Sequence, residues 1–166
     1  MALVSRDHKV KVVVDPIIRI DRRQPPKYPD WVSIVLHQEL EGSGTLEYDA
    51  RRIELLFDEG QLTGSRSVKG GTIYTPLKQE GLISSCLDLS DLEEIFSKGR
   101  EFFAENYNNQ MLYAWRSAVI DDRDGFTRVP FITIHQGILL VIAWHYLNLA
   151  WGINSPAAMY PTPDPS

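Results

Sequence analysis

The sequence predicts an α+β fold: a single domain whose mostly antiparallel sheet carries a C-terminal three-stranded meander, with one main helix over about 90–107 packed on it. Three observations lead there. Residues 110–151 form β-branched and aromatic runs separated by short Gly-containing turns, at 122–125 and 136–137, the pattern of consecutive hairpins. Residues 91–107 carry an apolar stripe at helical spacing. Helical segments group between strand runs instead of alternating with them, which favours α+β over a parallel sheet.

The elements follow in order. Residues 8–14 alternate and are rich in valine, a strand that Asp15-Pro16 bends or ends. Residues 17–20 resume it past a bulge or form an edge segment. Pro25, Pro26 and Pro29 make 22–30 an extended connection. Residues 31–40 fit two patterns: Trp31, Ile34, Val35 and Gln38 suit a helix capped by Asp30, while Val32, Ile34 and Leu36 suit a strand. Residues 41–44 are a loop. Residues 52–57 read as a short buried strand ended by Asp58-Glu59-Gly60.

A flexible stretch, 63–71, leads to a short helix from Thr72 to Glu80, in which Pro76 is tolerable only in the first turn. The main helix starts at a capping box, Ser90 with Glu93. Its stripe of Leu92, Ile95, Phe96, Phe102 and Phe103 contains Gly99, which costs about 1 kcal/mol against alanine. The domain is expected to span 1–155, and 156–166 to be a proline-rich tail outside the core.

Composition narrows the function classes. With 166 residues, 43% apolar and 23% charged, the chain can bury a core without staples. The net charge of −5 is uneven: residues 1–27 hold seven basic against three acidic residues, net +4, leaving −9 for the rest. Cys86 is the only cysteine, so no internal disulfide and no multi-thiolate metal site can form. The N-terminus lacks the blocks of a signal peptide. The longest apolar run, 138–144, is far short of the roughly 20 residues of a membrane helix. A reducing cytoplasm is the expected compartment, and no motif requires a cofactor or metal.

No complete catalytic constellation is present. The loop 64–72 offers Arg66, Lys69 and the Thr72 amide as an anion cradle before a helix, but its order is not that of a phosphate-binding P-loop. A solvated loop explains it more simply. Cys86 precedes a helix, where a thiol can be activated; Leu82, Ile83, Leu87 and Leu89 around it suit a buried inert thiol better. Asp121, Asp122, Asp124 and Gly125 echo a calcium loop, yet Ile120 and Phe131 fall where carboxylates are needed. Glu47, Asp49, Glu54, Asp58 and Glu59 offer acid/base pairs of unknown separation. His135 and His145 lack a third ligand for a metal.

Two surfaces suit binding. Arg19, Arg22, Arg23 and Lys27 form a basic arm with Tyr28 and Trp31 as stacking rings, weakened as a nucleic-acid site by neighbouring aspartates and the acidic remainder. Tyr113 and Trp115, with Trp144 and Tyr146, share strand parity and make either an aromatic contact patch or a covered core.

The order of several short pieces resembles that of short uncharacterised bacterial proteins: Glu47-Tyr48-Asp49, Ile53-Glu54-Leu55, Gly71-Thr72-Ile73-Tyr74, Cys86-Leu87-Asp88-Leu89, Trp115-Arg116-Ser117, Asp124-Gly125, Val129-Pro130 and Trp144. The resemblance implies no activity, ligand or fold. The expectation is therefore a small binding or accessory module without catalysis, meeting a protein partner or a small anionic ligand. The alternative is a hydrolase or nucleotide-processing enzyme built on the 64–72 loop with nearby carboxylates; nucleic-acid binding through 19–31 comes third.

Overall fold

Pro130 organises the sheet. It lies in the long strand β8 (Thr127–His135), which pairs along one whole edge with β9 (Leu139–Tyr146). On the other edge proline has no N–H to offer, so a continuous partner there would lose a ladder bond. The chain breaks opposite it: β6 (Leu112–Tyr113) pairs with Phe131 and Ile132, and β7 (Val119–Asp121) pairs with Thr127 and Arg128. Between them Trp115–Ser117 forms a 3-10 turn, and the Pro130 carbonyl accepts from the Ala114 amide. The single strand expected over 110–121 is therefore two strands and a turn. The meander is β7-β8-β9.

The structure, a computed structural model, describes residues 13–63 and 67–163. The fold is α+β. Outward from β7 the main sheet continues to β2 (Val32–Val35), which resolves the first half of 31–40 as strand; Gln38–Leu40 is a 3-10 turn. Outward from β6 come β11 (Ala157–Met159) and, at the edge, β4 (Glu54–Leu56). β11 is parallel to β6 and antiparallel to β4. Two small ribbons flank the sheet: β1 (Ile17–Arg19) with β3 (Glu47–Asp49), and β5 (Val68–Lys69) with β10 (Ala150–Trp151). Most of the strand expected over 8–14 lies outside the described residues.

Several expectations shift for local reasons. The third meander strand ends at Tyr146, and Ala150–Trp151 pairs elsewhere, because the chain turns where the Leu149 amide bonds the Tyr146 carbonyl. The main helix is two, α3 (Leu89–Ser97) and α4 (Arg100–Tyr107), split at Gly99, whose φ of +95° only glycine adopts without strain. Asp88, not Ser90, caps α3: its carboxylate accepts from the Asp91 amide and the Asp91 carboxylate accepts in return from the Asp88 amide. Asp58 and Gln61 build the same reciprocal cap on the short α1 (Glu59–Leu62). α2 (Gly70–Gln79) starts two residues before Thr72, so Pro76 lies in its interior. β4 is half-exposed instead of buried, being an edge. The tail begins only after Tyr160, for β11 sits inside the sheet and Tyr160 is buried.

Both faces of the sheet are covered, where one was expected. Alternation along β8 sends Ile132 and Ile134 to a core with α3 and α4 (Leu92, Ile95, Phe102 and Phe103). Val129 and Phe131 face a second core with Ile73, Tyr74 and Leu77 of α2 and with Trp115 and Trp151. Ala157 and Ala158 divide between these cores, small residues suiting a strand crowded from both sides.

At the start of α3 a buried charge cluster ties distant segments together. Arg22, from the proline-rich connection, bonds Asp91 at 3.1 Å, Asp88 at 3.3 Å, the Thr45 carbonyl at 2.6 Å and the Tyr160 hydroxyl at 2.9 Å. Tyr48 and Tyr160 each donate to Asp91 at 2.7 Å. Arg116, from the turn opposite Pro130, donates to Tyr160 and to the Leu40 and Ser43 carbonyls. Gly44 (φ +115°) lies against this group, where a Cβ would come 2.6 Å from the Arg116 Nη1 and 2.8 Å from the Tyr160 hydroxyl.

Removing one partner strands a buried charge, so Asp91→Ala is expected to lose roughly 3–5 kcal/mol of stability in chemical denaturation. Gly44→Ala should lose more than about 1 kcal/mol by the same measurement, whereas Gly71→Ala, whose Cβ meets nothing within 4 Å, should be neutral or stabilising.

Candidate functional site

Among the described residues, the most strongly raised carboxyl, Asp88, belongs to the cluster just described. Burial, then the adjacent Asp91 carboxylate, raises Asp88 to about 6. Burial and the same carboxylate push the Tyr48 and Tyr160 phenols up. Raised carboxyls mark active sites when a substrate can reach them. Here it cannot: the Asp91 side chain is fully buried, and those of Arg116, Arg22 and Asp88 are 2%, 6% and 11% exposed. Every carboxylate oxygen is bonded within the chain. The cluster is structural.

Most other sequence candidates are likewise engaged internally. Cys86 is buried, donates to the Leu82 carbonyl, and burial pushes its thiol up to about 12, the opposite of a prepared nucleophile. In the basic arm, Arg19 pairs with Asp15 and Glu47, Arg22 with Asp88 and Asp91, and Arg23 with Asp21. Tyr28 bonds Ser117, and Trp31 packs edge-on against Trp144, flanked by Arg123 and Arg128. Asp49 holds Arg51 and Glu54 holds Thr162. Asp121 carries Arg123 and Arg128, whose guanidiniums hold it down to about 2; no calcium-type ligand set forms. Among the described residues no group of three His, Cys, Asp or Glu could hold a metal.

The anion cradle is only partly visible, since Arg66 lies outside the described residues. Lys69 is exposed at the N-cap of α2 without a side-chain cap bond, and Thr72 is exposed in its first turn. The aromatic quartet separates. Tyr113 and Trp115 are buried together with Trp151, whose ring centroid lies 4.1 Å from Tyr113 and 5.0 Å from Trp115. Trp144 and Tyr146 point to the other face of the sheet, toward Trp31 and Arg128. Trp144 and Tyr146 share a face by strand parity as expected; Tyr113 and Trp115 also lie together, but Trp115 does so from the 3-10 turn, and the two pairs occupy opposite faces.

His145, between Trp144 and Tyr146, returns to the Tyr113 face, and there a cleft of about 540 Å³ opens. Its floor is Tyr113 and Phe131, centroids 4.9 Å apart, with Met111 beside them. Its walls are Gln61, Ser67, His145 and the loop 152–155. Among the described residues that line it, none is Lys, Arg, Asp or Glu. The other large concavities differ. That of about 670 Å³ at the C-terminal segment has Glu47, Asp49, Arg52 and Glu54 in its walls, and the shallow one of about 820 Å³ is the paired basic arm.

The cleft is shaped by local bonds. Gln61, 1% exposed, uses its carbonyl to cap α1 and its amide to hold the Gly152 and Ser155 carbonyls at 2.9 Å each. The Met111 amide holds the Asn154 carbonyl at 2.7 Å, fixing the opposite rim. His145 Nε2 lies 3.1 Å from the Ala150 carbonyl; a carbonyl only accepts, so Nε2 is the donor. Burial pushes the Tyr113 phenol up, so it stays protonated. The arrangement offers stacking faces with neutral donors and acceptors, and no charge. Sequence reasoning missed Gln61 and the loop 152–155, although Asp58-x-x-Gln61 is a readable capping signature.

No family model matches the chain, and neither the curated proteins nor the solved structures contain a significant match to it.

The Asp88 shift gives a pH signature. The folded state binds its proton more tightly than the unfolded chain, so this group adds stability below its unfolded value near 3.8 and loses it as pH rises through about 6. His37, lowered by burial, acts oppositely in the overlapping window. Comparing wild type with Asp88→Asn by denaturation between pH 4 and 7 isolates the first effect: the wild type should gain stability on acidification relative to the variant.

Proposed function

We propose that this chain is a binding module without chemistry of its own, and that the cleft over Tyr113 and Phe131 receives a small uncharged ligand with a ring or flat apolar face and hydroxyl or amide groups. The observation that carries the reading is a cleft of about 540 Å³ with an aromatic floor and, among the described residues, no ionic residue in its lining. Ligand sites are mostly apolar clefts with a few convergent polar groups, and this one supplies an amide rim, a serine and an imidazole. The internal use of the charged side chains supports the absence of catalysis. A charged ligand would leave water and find no countercharge here, which costs several kcal/mol.

The anion reading of the 64–72 loop has less support, because neither Lys69 nor Thr72 lines the cleft. Nucleic-acid binding has less still, since the arm's arginines are already paired with carboxylates.

The test is a saturation-transfer NMR screen of nucleosides, neutral saccharides, ATP and inorganic phosphate. Neutral ring compounds should give signal, and Phe131→Ala should weaken them about tenfold or more, the worth of one stacking contact. Binding confined to phosphate or ATP, or affinity untouched by Phe131→Ala, would overturn the assignment.

A further inference from the structure

β9 is an edge. It pairs with β8 along its full eight residues, and among the described residues nothing pairs with its other side. The phase of the ladder follows from one bond: the Leu147 amide donates to the Thr127 carbonyl at 3.0 Å. Antiparallel pairs alternate, so Val141, Ala143 and His145 turn their backbone groups toward β8, and Leu140, Ile142 and Trp144 turn theirs outward. Pro130, opposite Trp144, fits this phase, since its carbonyl serves the Ala114 amide on the far side.

Exposed edges are normally blunted by charge, proline, a bulge or shortness. β9 has none of these: Leu-Leu-Val-Ile-Ala-Trp-His-Tyr is long, unbroken in register and free of ionic residues. β2 and β4, the other edges, are four and three residues long.

We infer that β9 pairs with β9 of a second copy of this chain, antiparallel about a two-fold axis at Ile142. Tyr146, the fourth outward-facing residue, already gives its carbonyl to the Leu149 amide. Leu140, Ile142 and Trp144 are symmetric about Ile142, so this register lets these three exchange both backbone groups: Leu140 with Trp144, and Ile142 with itself. Their side chains then form apolar cross-strand pairs on the α3/α4 face. Two identical copies meet here without like-charge repulsion, because the strand has no ionic residue. The same symmetry brings Ile138 and Leu139, 73% and 60% exposed at the hairpin tip, onto Tyr146 and His145 of the second copy. Leu139 of one copy thus borders the neutral cleft of the other. The pairing is self-complementary and closed, as two-fold interfaces are.

Sedimentation of the whole chain over a concentration series should show a monomer–dimer equilibrium. Residues opposed in a hydrogen-bonded pair lie about 5.5 Å apart at Cα, within reach of a disulfide. Ile142→Cys should therefore cross-link on mild oxidation, and Val141→Cys, which faces Ala143, should not; buried Cys86 stays silent. Should Ile142→Cys fail to fold, hydrogen exchange on the wild type decides: amides at Leu140, Ile142 and Trp144 should slow at least tenfold as concentration rises. A monomer at every concentration, leaving the edge to a strand of different sequence, overturns the inference. So does a dimer in which those amides are unchanged, or one in which Val141→Cys cross-links and Ile142→Cys does not.

Discussion

Arg22 and the carboxylates of Asp88 and Asp91 are the constraint on which the rest of the molecule depends. Arginine cannot shed its charge, so burying it demands fixed acceptors, and α3 supplies two through its own N-terminal cap. That cap is thereby more than a helix start. It recruits Tyr48 from β3, Tyr160 from the end of β11 and, through Tyr160, Arg116 from the turn opposite Pro130. The proline-rich connection, the edge ribbon, the central sheet and the α3/α4 layer are all referenced to one small volume. Negative carboxylates at the helix N-terminus also complement its dipole, which offsets part of the cost of bringing them out of water.

That arrangement also takes up the most deeply buried charges among the described residues. Asp88, the carboxyl raised to about 6, is engaged in holding the fold, and the residues described around the cleft over Tyr113 and Phe131 include no Lys, Arg, Asp or Glu. Its walls depend on the packing of Tyr113 and Trp151 beneath them and on Gln61, which bridges α1 to the loop 152–155. A cleft built from buried rings and backbone-anchored amides is preorganised.

Local patterns were legible in the sequence wherever one side of an element decided its identity. The hairpin turns near 124–125 and 136–137, the paired β8 and β9, and the apolar stripe of α3 and α4 follow from alternation, turn residues and helical spacing. What was not legible depended on partners far away. Nothing near Trp115 announces that its strand must break; the cause is Pro130, across the ladder. Asp88 outcompetes Ser90 as the cap because Arg22, sixty-six residues earlier, rewards a carboxylate there. The aromatic quartet shows the limit most plainly: parity fixes a face within Trp144/Tyr146, Trp115 joins Tyr113 from a 3-10 turn, and which faces coincide is a matter of register. The cleft shares that fate, since Gln61, Phe131, His145 and Ser155 are gathered by topology alone.

β11 carries a consequence for how the molecule is made. The strand latest in sequence among the described residues is interior to the sheet, wedged between β6 and β4, and Tyr160 just beyond it completes the charge cluster. During synthesis β6 and β4 therefore wait with bare edges, and Arg22 and Arg116 wait without one of their shared acceptors. Closure is a late, long-range event, the topology that folds slowly and lingers in sticky intermediates. Until β11 slots home, those edges stay open to wrong partners.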